Sequence, residues 1–168
     1  MLATVILRAN KLRADLGLRD FPVAAAAVAE RLGILVVRTR LDLTGAKVFG
    51  FTPGDGRWIA IAAGLPDEVE NKTILHELYH ALYHSARVRA VAASAEDEAE
   101  ADQFAIEVLM PRLEFQAYAL LYGFDAAQLA GRFGVEIADA RKRLRELIPG
   151  VEQRPQKRRA ALDGPAAC

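Results

Sequence analysis

The most constraining stretch of the chain is His76-Glu77-Leu78-Tyr79-His80, inside an apolar-periodic run from Lys72 to Ser85. Two histidines four apart on a helix lie about 6 Å apart along its axis and about 40° apart around it, so both rings can reach one ion. With His76 set at 0°, His80 falls at about 40°, His84 at about 80° and Glu77 at about 100°. Ile74, Leu75, Leu78, Tyr79, Ala81 and Leu82 fall instead between about 140° and 300°. The polar groups share one wall and the apolar groups the other. The bland reading is an amphipathic helix that carries two histidines by chance; the sharper one is the HExxH spacing of zinc hydrolases. The rest of the chain has to choose between them.

A catalytic zinc takes three protein ligands and keeps one position open for water. All three histidines of the chain, His76, His80 and His84, lie in this one run, so no histidine elsewhere can complete the set. The third ligand is therefore expected to be a carboxylate, and Glu96-Asp97-Glu98-Ala99-Glu100-Ala101-Asp102 offers several. With Glu98 at 0°, Asp102 lies near about 40°, bordering a stripe of Ala101, Phe104, Ala105, Val108 and Leu109. Glu96, Glu100 and Glu107 gather at about 160° to 200° and read as a solvated face. Glu98 is thus the expected ligand, with Glu100 the next candidate. Asp102, one turn on, is placed to accept the free N–H of a liganding imidazole and fix its tautomer. Glu96 and Asp97 read as an acidic helix start favoured by the helix dipole.

Glu77 follows a ligand directly and is the natural general base for a metal-activated water. His84 shares the same arc, either as a substrate or site contact or as an ordinary surface histidine. Tyr79 and Tyr83 read as packing residues and Trp58 as sheet filler.

Composition limits the alternatives. Of 168 residues, 52% are hydrophobic and 26% charged, which suits one folded domain with at most a small helical appendage. Lysine plus arginine equals aspartate plus glutamate at 22 each, so bulk charge does not argue for nucleic acid or membrane. The single cysteine, Cys168, rules out an internal disulfide framework and a cysteine-rich zinc finger, and reads as a frayed terminal residue. The apolar patch at the start runs into Arg8, Lys11 and Arg13 without a long apolar segment, and nothing approaches a membrane span. The expectation is a cytoplasmic protein.

Periodicity and turn residues predict helices over Ala3–Leu16 and Val23–Leu32, the latter bracketed by Pro22 and Gly33. Strands are expected at Ile34–Val37, Lys47–Thr52 and Trp58–Ala62, the last two joined by the turn Pro53-Gly54-Asp55-Gly56. Beyond the HExxH helix, Ala86–Ser94 reads as a surface loop, with Ser94 capping a helix over Ala95–Leu109 that stops at Met110-Pro111. Further helices are expected at Leu113–Leu121, Ala126–Phe133 and Ile137–Leu147, followed by a basic, proline-containing, disordered tail. The fold class is α+β: mostly helical, with a small antiparallel sheet of about three strands and C-terminal helices.

The run from His76 to His84, followed by Glu98-Ala99-Glu100-Ala101-Asp102-Gln103-Phe104-Ala105 and closing in Leu109-Met110-Pro111, resembles the ImmA/IrrE metallopeptidases. Asp102 stands where that family usually has asparagine, a change that keeps the partner for a liganding imidazole. Pro22 to Val37 also resembles the family's helix-then-strand opening, and the likeness extends over about residues 1 to 148. It implies a gluzincin-like zinc endopeptidase, with manganese as the alternative metal, that cuts a helix-turn-helix transcriptional repressor and so relieves repression. The expected organisation is a zincin-like domain over 1–122, a helix-turn-helix-like segment over 123–148 packed on it, and the tail over 149–168. The rival reading is a non-catalytic regulator, or a DNA-binding protein that uses Arg141, Lys142, Arg143 and Arg145 of the last helix. Packing of those helices on the catalytic unit is the favoured reading over DNA contact.

Overall fold

A computed structural model of the chain describes residues 2–40, 50–52, 56–84 and 94–150. Its elements in order are α1 (Leu2–Asp15), α2 (Ala25–Arg31), β1 (Leu35–Thr39), β2 (Gly50–Phe51), β3 (Trp58–Ala62), α3 (Asp67–Tyr83), α4 (Ala95–Leu109), α5 (Arg112–Tyr122), α6 (Ala126–Phe133) and α7 (Ile137–Leu147). The expected loop at 86–93, the tail from 151 and the strand start at 47–49 fall outside the described residues, as do turn residues 53–55. No helix among the described residues is long and apolar enough to cross a membrane.

The chain is mostly helical with a small sheet, but that sheet is not antiparallel as expected. Its two five-residue strands, β1 and β3, pair in parallel, with Leu35 opposite Trp58 and Thr39 opposite Ala62. The two-residue β2 adds to the other edge of β3, antiparallel, with Gly50 opposite Ile61 and Phe51 opposite Ala60. The turn residues of 53–56 dictate the sense of the β2–β3 pair only. Nothing local dictates which edge of β3 receives β1, and a β-branched run reads the same in either direction.

Capping explains why the later helices begin and end where they do. Ser94 Oγ accepts the Asp97 N–H at 3.2 Å while the Asp97 carboxylate accepts the Ser94 N–H at 3.0 Å, a reciprocal pair that starts α4. The Asp125 carboxylate accepts from the Ala127 and Gln128 N–H groups at 2.8 and 3.1 Å and starts α6. That helix ends at Gly134 in the left-handed region, φ 65°. A side chain at Gly134 is excluded twice over, because a Cβ there would also sit 2.5 Å from Pro22 Cβ. This close approach seats the end of α6 against the segment before α2, where the Phe21 and Phe133 rings meet edge-on at 4.7 Å.

One continuous apolar core runs from Val5 and Ala9 of α1, through Ile59 and Ile61 of β3 and Ile74, Leu75 and Leu78 of α3, to Leu129 and Leu144 of α6 and α7. Helix α3 lies at its centre, against the sheet, α2 and α4, while α1 packs along α4. The Asn71 side chain accepts the Ala25 N–H at 2.9 Å and ties the start of α2 to α3.

Glu107 departs most sharply from expectation. Its wheel position beside Glu96 and Glu100 predicts a solvated face, yet it is 1% exposed. The Arg143 guanidinium of α7 donates to both its carboxylate oxygens, at 3.1 and 2.6 Å, and also to the Met110 carbonyl at 3.1 and 2.8 Å. Arg112 adds donors at 3.1 and 2.9 Å. The helical wheel assumed that a polar face meets water; here α7 covers the C-terminal half of that face and supplies the countercharge. Burial alone would push the Glu107 carboxyl up, but these arginines hold it below the usual carboxylate range. The same bond removes Arg143 from the basic face of α7, leaving Arg141, Lys142 and Arg145 exposed.

Breaking a buried pair strands a charge, so Arg143→Ala is expected to lower unfolding free energy by about 3–5 kcal/mol. Arg141→Ala, two residues away and exposed, should stay within about 0.5 kcal/mol of the wild type. Urea unfolding of the two variants checks both.

Candidate metal centre

Helix α3 opens with Asp67, Glu68 and Glu70 in its first turn, where the helix dipole favours negative charge. It buries Ile74, Leu75, Leu78 and Tyr79 completely. That burial fixes the rotation of the helix and turns His76 and His80 toward α4. Contacts between the two helices run in opposite order, since His76 meets Asp102, Tyr79 meets Glu100 and His84 meets Asp97. The helices are therefore antiparallel, and His76, Tyr79 and His84 of α3 each face an acid of α4.

Three donor atoms converge at the centre of this ladder. His76 Nε2 and His80 Nε2 lie 3.1 Å apart. Glu98 places Oε2 at 3.2 Å from the first and Oε1 at 3.4 Å from the second. Among the described residues this is the cluster of His, Cys, Asp or Glu that could hold a metal, its ligand atoms all within 4.8 Å of one another. Two imidazole nitrogens and one carboxylate oxygen form a donor set suited to a divalent transition ion with an open position. Burial, with His76 and His84 alongside, pushes the His80 pKa down to about 4, so this imidazole offers a lone pair at neutral pH. Glu100, the other candidate ligand, is turned away: it accepts the Tyr79 hydroxyl proton at 2.5 Å, and Arg8 donates to that hydroxyl at 2.6 Å.

The remaining ring nitrogens have partners too. His76 Nδ1 meets Asp102 Oδ1 at 2.9 Å. Burial disfavours the charged form of His76, but Asp102, with Glu77 and Glu98 nearby, outweighs it and raises the pKa. His84 caps α3 with an extended backbone, φ −97° and ψ 142°, so its position on a helical wheel does not apply. Its Nδ1 lies 2.8 Å from His80 Nδ1, on the side of that ring away from the cluster. Tyr79 is fully buried, its ring edge-on to His84 at 5.3 Å and tilted against Phe104 at 5.2 Å, which agrees with a packing role.

Glu77 stands beside the cluster and is 6% exposed. Burial raises its carboxyl pKa, and the Thr52 hydroxyl, donating to Oε2 at 2.7 Å, pulls it partly back. Thr52 follows β2, which can lie this close only because residue 50 is glycine. A Cβ on Gly50 would come within 2.9 Å of Thr73 Cγ2 and 3.0 Å of Glu77 Cγ. Sequence reading missed Thr52, because no spacing links residue 52 to residue 77 before the sheet is laid on α3. It also missed Asp97, which looked like a plain helix-start acid and is one, through Ser94, while its Oδ1 faces His84 Nε2 at 3.4 Å.

HExxH on a helix sets two histidines on one face, the arrangement of zinc-binding helices, with the glutamate between them. The sequence pattern of the peptidase M78 family, described as the IrrE N-terminal-like domain, matches residues 29–145, and the chain belongs to that family. The fold is similar to the solved structure of a Mycobacterium tuberculosis transcriptional regulator, with a TM-score of 0.64 and 22% identity. The similarity covers 84% of this chain and 47% of that one, so the chain spans about half the length of the structure it matches. No curated protein matches.

Thr52→Val removes the hydrogen bond that favours the Glu77 carboxylate while keeping the side-chain shape. The Glu77 carboxyl should then titrate at higher pH than in the wild type, read by carbon-13 NMR on metal-free protein. Stability at neutral pH should fall by about 1–3 kcal/mol, the cost of leaving a buried acceptor unpaired.

Proposed function

We propose that the chain is a zinc-dependent endopeptidase in which His76, His80 and Glu98 hold the ion and Glu77 is the general base. The convergence of two histidine Nε2 atoms and the Glu98 carboxylate, with a buried glutamate beside them, carries this reading. Membership of a peptidase family supports it. When bound, zinc supplies a water of lowered pKa and polarises the scissile carbonyl, and manganese is the alternative metal.

Glu77 does the proton work. Thr52 holds Oε2, which leaves Oε1 to take a proton from the attacking water and deliver it to the departing amine nitrogen. The raised pKa helps the first half: a carboxylate that burial makes more basic accepts the proton more readily. Asp102 orients His76 by accepting its Nδ1–H, so that Nε2 points at the ion.

The substrate we propose is a helix-turn-helix transcriptional repressor, cleaved to relieve repression. Two observations support a regulatory setting: the resemblance to the ImmA/IrrE peptidases and the likeness in fold to a protein titled a transcriptional regulator. A DNA-binding role through α7 is less well supported, because Arg143, one of its four basic residues, is buried on Glu107.

The test is to incubate the protein with the product of the adjacent gene, with and without chelator, and read intact masses. A single chelator-sensitive cut is expected, lost in Glu77→Gln, while that variant binds zinc with unchanged stoichiometry. Cleavage at the wild-type rate by Glu77→Gln contradicts the mechanism, and an uncut partner contradicts the substrate.

A further inference from the structure

Each imidazole of the cluster has a nitrogen that faces away from it, and the two are served differently. For His76 the partner is a carboxylate, Asp102. For His80 it is another imidazole: Nδ1 of His80 lies 2.8 Å from Nδ1 of His84. Two ring nitrogens at that distance share one proton, so one ring donates and the other accepts. The metal-site reading decides which. If His80 gives its Nε2 lone pair to the ion, a neutral His80 carries its proton on Nδ1 and must be the donor. His84 then accepts through Nδ1, and its own proton belongs on Nε2. That nitrogen faces Asp97 Oδ1 at 3.4 Å, so the carboxylate meets an N–H and not a lone pair.

The surroundings hold this arrangement in place. Asp97 is fixed by the reciprocal cap with Ser94, which engages Oδ2 and leaves Oδ1 toward His84. On the other side the Tyr79 ring flanks His84 edge-on, and the His84 N–H still bonds to the His80 carbonyl at 3.2 Å. The cap of α4 and the last turn of α3 thereby converge on one imidazole.

We infer that His84 is a positioning residue for the second metal ligand, accepting the His80 Nδ1–H and passing orientation from Asp97 to His80, rather than a ligand or a substrate contact. This rests on the metal-site reading above. It gives His84 and Asp97 a task parallel to that of Asp102: the tautomer and the tilt of each liganding ring are set by a different acid of α4, directly for His76 and through His84 for His80.

Zinc affinity, measured by competition with a chromophoric chelator, separates the possibilities without reference to activity. His84→Leu removes the acceptor and is expected to weaken zinc binding by roughly 10- to 100-fold, the usual effect of losing such a partner. In His84→Asn the amide oxygen stands close to where Nδ1 was, so most of the affinity lost in His84→Leu should return. Long-range proton–nitrogen spectra of the zinc-loaded wild type should show His80 protonated at Nδ1 and His84 at Nε2. Equal affinity in wild type and His84→Leu, equal losses in both variants, or a proton on His84 Nδ1 would each overturn the role of His84 while leaving the metal site standing. A wild-type protein that takes up no zinc would instead overturn the metal-site reading, and this inference with it.

Discussion

The antiparallel crossing of α3 and α4 is the contact on which the rest of the structure depends. Its seam is apolar and aromatic, with Tyr79 and Tyr83 of α3 against Phe104 of α4 at 5.2 and 5.8 Å between ring centres. Because the helices run in opposite directions, successive residues along one meet receding residues along the other. Polar side chains at the rim of the seam therefore pair in order, His76 with Asp102 and Glu98, and His84 with Asp97. Rotating α3 by one residue, about 100°, would carry His76 and His80 away from α4 together. The buried stripe of Ile74, Leu75 and Leu78 opposes that rotation.

The elements around this pair act mainly to hold it. The sheet lies against α3 from the other side, and the absence of a side chain at Gly50 lets β2 bring Thr52 onto Glu77. At the far end of α4, Arg143 of α7 grips Glu107 and the Met110 carbonyl together. Lys72 of α3 reaches Asp139 of α7 at 2.9 Å, so the last helix touches both members of the central pair. The C-terminal helices serve the site by fixing the frame. Their helix-turn-helix look arises from two short amphipathic helices around Gly134, a pattern that packing on a core satisfies as well as contact with DNA does.

What could be read from sequence alone follows from the range of each interaction. Helices α4, α6 and α7 have the bounds expected of them because their signals are local: Ser94 and Asp97 at one start, Pro111 after one end and Gly134 after another. Choosing Glu98 over Glu100 needed only the 100° step of a helix, and the structure does bring Glu98 and not Glu100 to the histidines. The failures are all tertiary. The parallel sense of β1 depends on which edge of β3 was open. A wheel cannot show that a second helix covers the polar face on which Glu107 lies. Thr52 joins Glu77 across 25 positions of sequence with no periodic signal between them. For His84, expected as a substrate or site contact or as an ordinary surface histidine, a wheel does not place the ring, because its backbone leaves the helix at that residue.

In the metal centre we propose, two imidazoles and one carboxylate hold a single zinc ion while the third histidine stands behind them. Zinc K-edge X-ray absorption on the loaded protein tests this most directly, because it counts nitrogen-ring, oxygen and sulfur scatterers at the metal. Two imidazole nitrogens at about 2.0–2.1 Å are expected, with the remaining ligands oxygen. A third imidazole, which would put His84 on the metal, or a sulfur neighbour from Cys168, would contradict it.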